Sequence, residues 1–232
     1  MANDLQRAKK PQPLSLLVKQ KISSMTLQKR MNSIIEVSKE ATELRKQAPS
    51  SIISAYSVDL QDSACAVFPT VDKCSEVESP KLGVMSEAFP ARKDPRSGDD
   101  IEDMAVVWMK SQFIAVSMFC GAREKMSDWQ SKALCTQIIN EHPTLTLMEF
   151  ILFCARLRSF RYGKFYGSID PAAILDSLGQ FVQDRNRDIW KRKEEEERIA
   201  KEKEWEEHLK HSITYEQWQE IKARQDKNKL HI

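Results

Sequence analysis

The chain has 232 residues, 41% of them hydrophobic, which is enough for one or two domains and does not require a large enzyme domain. Its 36 Lys and Arg nearly cancel its 34 Asp and Glu, and a formal net charge of +2 argues for neither a nucleic-acid sponge nor an acidic tail. Five cysteines (Cys65, Cys74, Cys120, Cys135, Cys154) lack CxxC spacing, and the histidines are not paired with them. No zinc site is therefore expected, and reduced thiols in a cytoplasmic protein are.

In chain order, the opening MANDLQRAKKPQPL runs into LSLLVKQK, too short and too soon charged for a signal core or a membrane span. Between Ser15 and Ala48 the apolar positions Leu17, Met25, Met31, Ile34, Ile35, Ala41 and Leu44 recur at loose helical spacing, with Pro49 as the stop. Residues 1–50 hold ten Lys and Arg against four acids, so 1–48 reads as a basic helical N-terminal arm. From 49 to 100 five prolines, scattered serines and an excess of acids replace any sustained period, and this span reads as a flexible acidic linker.

The second half predicts an all-α core domain over 101–188. GDDIEDMAVVWMKSQFIAVSMFCG offers Asp99 or Asp100 as N-cap, an apolar run nearly all round, and Gly121 as the residue past the helix end. SDWQSKALCTQIINEHP follows with Ser127 and Gln130 as a capping box, an apolar stripe of Trp129, Ala133, Leu134, Ile138 and Ile139, and Pro143 as terminator. TLTLMEFILFCARL repeats the logic with Thr146 and Glu149.

Asp170-Pro171 then starts a long helix whose apolar face, Ile174, Leu175, Leu178, Phe181 and Val182, thins into dense charge beyond Asn186. Pairs such as Glu194 with Arg198 and Glu197 with Lys201 are expected to support it. Residues 189–232 read as a charged helical arm. A last box, Thr214 with Gln217, opens a terminal docking helix anchored by Tyr215, Trp218 and Ile221, the candidate partner-binding residues.

RSFRYGKFYGSIDP, residues 158–171, joins two of these helices. Gly163 and Gly167 supply positive φ where the backbone reverses. The bland reading makes its rings the closing end of the core. The functional reading makes Arg158, Arg161, Tyr162, Lys164, Phe165 and Tyr166 a single-stranded nucleic-acid contact, with cations for phosphates and ring faces for bases. Arg156 falls roughly 200° away from Arg158 around the helix and is left out.

GKFYG lacks the GxxxxGK[ST] pattern of a phosphate-binding loop, and no catalytic motif of the HExxH, GxSxG or GxGxxG type occurs. Glu149 and Asp170 have capping roles, His142 reads as a helix end, and Cys154 sits in an apolar run rather than a nucleophile's setting. No enzyme, cofactor or metal is expected.

HPTLTLMEF, YGKFYGSIDPAAIL and FVQDRNRD, between about Ala133 and Asp188, resemble a family of helical proteins encoded by Bacteroidota genomes, their prophages and conjugative elements. The shared pattern is a proline-led helix, a G-K-aromatic-Y-G-x-I/V-D-P corner and a helix ending in an acid-Arg doublet. The resemblance implies no activity. By architecture it suggests a non-enzymatic accessory protein of phage or mobile-element DNA replication, of helicase-loader or replisome-organiser type. Its partners would be single-stranded DNA and a helicase or other replication protein. The alternative is a helical protein–protein interaction adaptor that binds no nucleic acid.

Overall fold

Helices make up nearly all the regular structure of the computed structural model, which describes residues 32–163, 169–211 and 215–229. The fold is all-α. In chain order the elements are α1 (residues 32–44), α2 (Pro49–Ala55), α3 (Leu60–Val67), α4 (Val71–Ser75), α5 (Leu82–Ala88), β1 (Arg92–Lys93), β2 (Asp100–Ile101), α6 (Met104–Phe119), α7 (Asp128–Glu141), α8 (Leu147–Arg158), α9 (Pro171–His211) and α10 (Tyr215–Lys229). β1 and β2 pair antiparallel, with Arg92 opposite Ile101. The chain divides into two units, Met1–Phe181 and Val182–Ile232, so α9 contributes to both.

The first unit is built around α8. Its nearly all-apolar sequence leaves little polar face to turn outward, and every residue from Leu147 to Leu157 is buried, Glu149 and Arg156 included. α3, α4 and α6 pack against it. A chain of rings runs through this core: Trp108 lies 5.5 Å from Phe150, Phe113 meets Phe150 edge-on at 5.4 Å, Phe150 is 5.9 Å from Phe153, and Phe153 is 5.5 Å from Phe181. Each such side chain contributes about 1.5–3 kcal/mol through burial. The chain of rings thereby joins α6, α8 and the first turns of α9.

Local chemistry sets the helix ends. Ser127 with Gln130 and Thr146 with Glu149 form complete capping boxes at α7 and α8. The Asp170 carboxylate accepts the Ala172 N–H at 3.2 Å, with Pro171 in the first turn of α9. α6 ends at Cys120, and Gly121 takes φ 65° while the Ala122 N–H reaches the Ser117 carbonyl at 3.1 Å. Its start differs from expectation. Asp103, not Asp99 or Asp100, accepts the Ala105 N–H at 2.8 Å, because the backbone at Asp99 and Asp100 belongs to the β1–β2 hairpin.

The span 49–100, expected to be a flexible linker, is folded into α2–α5 and the hairpin. Ile52, Ala64, Val71, Cys74, Leu82, Val84 and Met85 from this span are all in the core. The prolines punctuate rather than unfold it: Pro49 sits in the first turn of α2, Pro69 and Pro80 precede α4 and α5, and Pro90 follows α5. Helices of five to eight residues have no stability of their own and draw it from the partners they cover.

At the α5–α8 junction the Leu82 N–H donates to the Leu145 carbonyl at 2.8 Å, and the Leu147 N–H to the Pro80 carbonyl at 2.9 Å. Gly83 N–H donates to the Pro143 carbonyl, and a Cβ on Gly83 would lie 2.8 Å from the Pro143 Cβ. The close approach therefore requires glycine.

Two further expectations change. α6, apolar nearly all round, is covered on one side only, and Val107, Ile114, Met118 and Phe119 are exposed. On α7 the covered stripe is Leu134, Cys135, Ile138 and Ile139, while Ala133 is exposed and Trp129 is 76% exposed. Trp129 is rotated about 120° from Cys135 around the helix, outside that stripe.

Candidate functional site

The corner after α8 begins as a helix stop. Phe160 takes the left-handed conformation (φ 55°), the Arg161 N–H reaches back to the Arg156 carbonyl at 3.1 Å, and the Phe160 N–H to Leu157 at 3.0 Å. This is the same closure that ends α6, with phenylalanine where α6 has glycine. Gly163 then takes φ 119°, as its position suggests. Gly167 lies outside the described residues.

Tyr162 packs on the end of the ring chain, its centroid 6.3 Å from that of Phe153, and its hydroxyl accepts from the Arg156 guanidinium at 3.3 Å. Arg156 is only 2% exposed. Its guanidinium also lies 5.6 Å from the Phe181 ring centroid and donates to the Pro69 carbonyl at 3.4 Å. The buried arginine thus ties the corner to the α3–α4 connection and to α9.

Arg158 points elsewhere. Its side chain, 17% exposed, pairs with Asp62 at 2.6 Å, donates to the Gln61 Oε1 at 3.5 Å and lies over the Phe119 ring at 4.2 Å. Gln61 in turn donates to Gln112 Oε1 at 2.7 Å, and both Gln112 Nε2 and Trp108 Nε1 donate to the Tyr56 carbonyl. Arg158 thus ends a polar network running through α3, α6 and α8, with its charge matched by a carboxylate. Of the six proposed nucleic-acid residues, Arg161 is exposed, Arg158 and Tyr162 are held by the core, and Lys164, Phe165 and Tyr166 lie outside the described residues. Sequence alone carried no signal for Asp62, Gln61 or Phe119 as partners of Arg158.

In the second unit Arg198 pairs with Glu195 at 2.7 Å and Glu202 at 3.3 Å rather than with Glu194. Trp190, Trp205 and Leu209 of α9 are exposed, as are all three anchors of α10. Tyr215 and Trp218 stack with centroids 5.9 Å apart and planes inclined by 22°. Lys222, not singled out from the sequence, places its Nζ 4.9 Å from the Trp218 ring centroid. Spacings of three and four put these groups on one helix face, where they form a preformed cation–ring–ring stack. Thr214, the expected cap of α10, lies outside the described residues.

Burial pushes Cys135 up to about 12 and Cys154 well above the ordinary thiol range. Cys65 is exposed. Among the described residues no group of three or more His, Cys, Asp or Glu is placed to hold a metal ion. No helix among them is long and apolar enough to cross a membrane.

One charged cluster reports on folding. Lys110 pairs with Glu102 and Asp128, each at 2.8 Å, and Lys132 reaches Glu102 at 3.2 Å. The bond from Lys110 holds the Glu102 carboxyl below its ordinary range. Burial alone would lower Lys110, but its bonds to Asp128 and Glu102 raise it. Glu102 therefore favours the fold above its unfolded pKa, about 4.3, and that contribution is lost as pH falls through its lower folded value. Lys110 favours the fold below about pH 10 and loses its effect as pH rises through its higher folded value. Urea midpoints of wild type and Glu102→Gln are expected to differ by a constant amount near neutrality and to converge as pH falls below about 4. A gap that persists or widens in acid contradicts the assignment.

Residues 125–229, just under half of the chain, match the model of a family of unknown function, DUF6633. No curated protein matches the chain, and no solved structure does either. The matched span includes α7, α8, the corner and both helices of the second unit.

Proposed function

We propose that this chain is a non-enzymatic protein-interaction adaptor whose terminal helix docks into a groove on a larger partner protein. The Lys222–Trp218–Tyr215 stack carries the reading: two large rings stay in water on a helix otherwise dominated by charge. Exposed Trp and Tyr of this kind dominate binding energy once a partner covers them. Because the rings are already stacked, docking freezes less side-chain motion. A short helix presenting its anchors on one face fits the helix-in-groove mode. Trp205 and Leu209 of α9 are exposed as well.

The corner supports the adaptor over direct contact with a single strand, since Arg158 is matched by Asp62 and Tyr162 closes the ring chain. Architectural analogy gives the partner's class in this proposal, a replication protein of a phage or mobile element such as its helicase. Pull-down of that helicase by the full chain, with and without nuclease, is the test. Retention is expected to survive nuclease and to fall about tenfold or more in the Tyr215→Ala, Trp218→Ala double variant. Capture lost with nuclease, together with salt-sensitive anisotropy of labelled single-stranded DNA, replaces the adaptor with the nucleic-acid reading.

A further inference from the structure

We propose that the cleft between α2, the end of α5, β2 and the start of α6 is a docking site for an acidic, aromatic-anchored segment of a partner protein. The cleft has a volume of about 610 Å³, room for two or three side chains. Ile53, Phe89, Ile101, Met104 and Val107 form its apolar walls. Ile53, Ile101 and Val107 remain exposed, so covering them releases water from a contiguous apolar surface.

The charged residues on the lining are Arg45, Arg92 and Glu102. Glu102 already holds Lys110 and Lys132. Arg45 donates to the Glu87 and Ala88 carbonyls, neutral acceptors that satisfy its N–H groups without cancelling its charge. The Arg92 guanidinium makes no hydrogen bond or ion pair among the described residues. Of the acids on the neighbouring hairpin, Asp94 accepts the Arg96 backbone N–H at 2.8 Å, within the turn.

Two positive charges therefore stand at the edge of an apolar floor with no carboxylate among the described residues paired to them. A segment whose Trp or Leu side chains enter the cleft while flanking carboxylates meet Arg45 and Arg92 satisfies both features. A basic segment would set like charges together beside a low-dielectric wall. The cleft shares no residue with α10, and the proposal does not rest on the adaptor reading.

Fluorescence anisotropy of the full chain with three labelled peptides tests the proposal. One peptide carries Trp and Leu anchors flanked by glutamates, the second has each Glu replaced by Lys, and the third has the anchors replaced by Ala. Saturable binding of the first is expected, about tenfold or more tighter than either control. Arg92→Glu weakens it by about tenfold and Val107→Glu removes it, both at exposed positions that leave the fold intact. Equal affinity for the Glu and Lys peptides, no saturable binding of the first, or indifference to both cleft variants overturns the proposal. Sedimentation showing a dimer that Val107→Glu abolishes and the acidic peptide does not compete also overturns it, giving the cleft to a second copy.

Discussion

Trp108→Ala is expected to lower the unfolding free energy by about 3–5 kcal/mol, a large fraction of the roughly 5–15 kcal/mol that holds a domain together. The indole is buried against Phe150, and its Nε1 donates to the Tyr56 carbonyl at 2.8 Å. Truncation leaves a ring-sized cavity beside α8 and removes a donor from Tyr56. Because Tyr56 directly follows α2, the variant tests whether the span 49–100 is held to the core. Urea unfolding followed by far-ultraviolet circular dichroism measures the change, and a loss under about 1 kcal/mol would mean that α2 and α6 do not meet as described.

The second large effect separates two arginines two positions apart. Arg156→Ala is expected to lose about 2–4 kcal/mol, since it empties a buried site against Phe181 and leaves the Pro69 carbonyl and the Tyr162 hydroxyl without that guanidinium. Arg158→Ala is expected to lose about 1 kcal/mol or less, because its pair with Asp62, 69% exposed on that side, is screened by water. Denaturation midpoints of the two variants, measured side by side, decide it. Equal losses would place both side chains in the same environment and undo the account of the corner as a structural closure.

What the sequence made legible was local. Ser127 with Gln130, Thr146 with Glu149, Asp170-Pro171 and Gly121 set helix ends through bonds within a few residues, and each forms as its spacing suggests. The almost unbroken apolar run of α8 likewise announced a core helix. The 49–100 span was misread because five to eight residues do not complete enough turns for a period of 3.6 to stand out against prolines and acids. Packing of α3 and α4 on α8, and of α5 on α6 and α7, is what supports such short segments as helices.

The surroundings of the candidate site were hidden for a related reason. The residue types at the corner suit a single strand, but the disposition of Arg158 is decided by Gln61, 97 positions earlier, and by its neighbour Asp62. Composition cannot reveal a partner that far away. The anchors of α10 were legible because spacing alone places Tyr215 and Trp218 on one face. Lys222 completes that face one turn on, and the same spacing rule could have found it.

The central place of α8 also sets a timetable for synthesis. α3 and α4 leave the ribosome roughly eighty residues before the helix they pack against, several seconds at about 5–20 residues per second. Through that interval they are too short to hold a helical form alone, and their apolar side chains wait uncovered. The nascent chain is therefore most in need of chaperone protection before Leu157 emerges, and a stall just upstream of α8 would harm it more than one within the charged turns of α9.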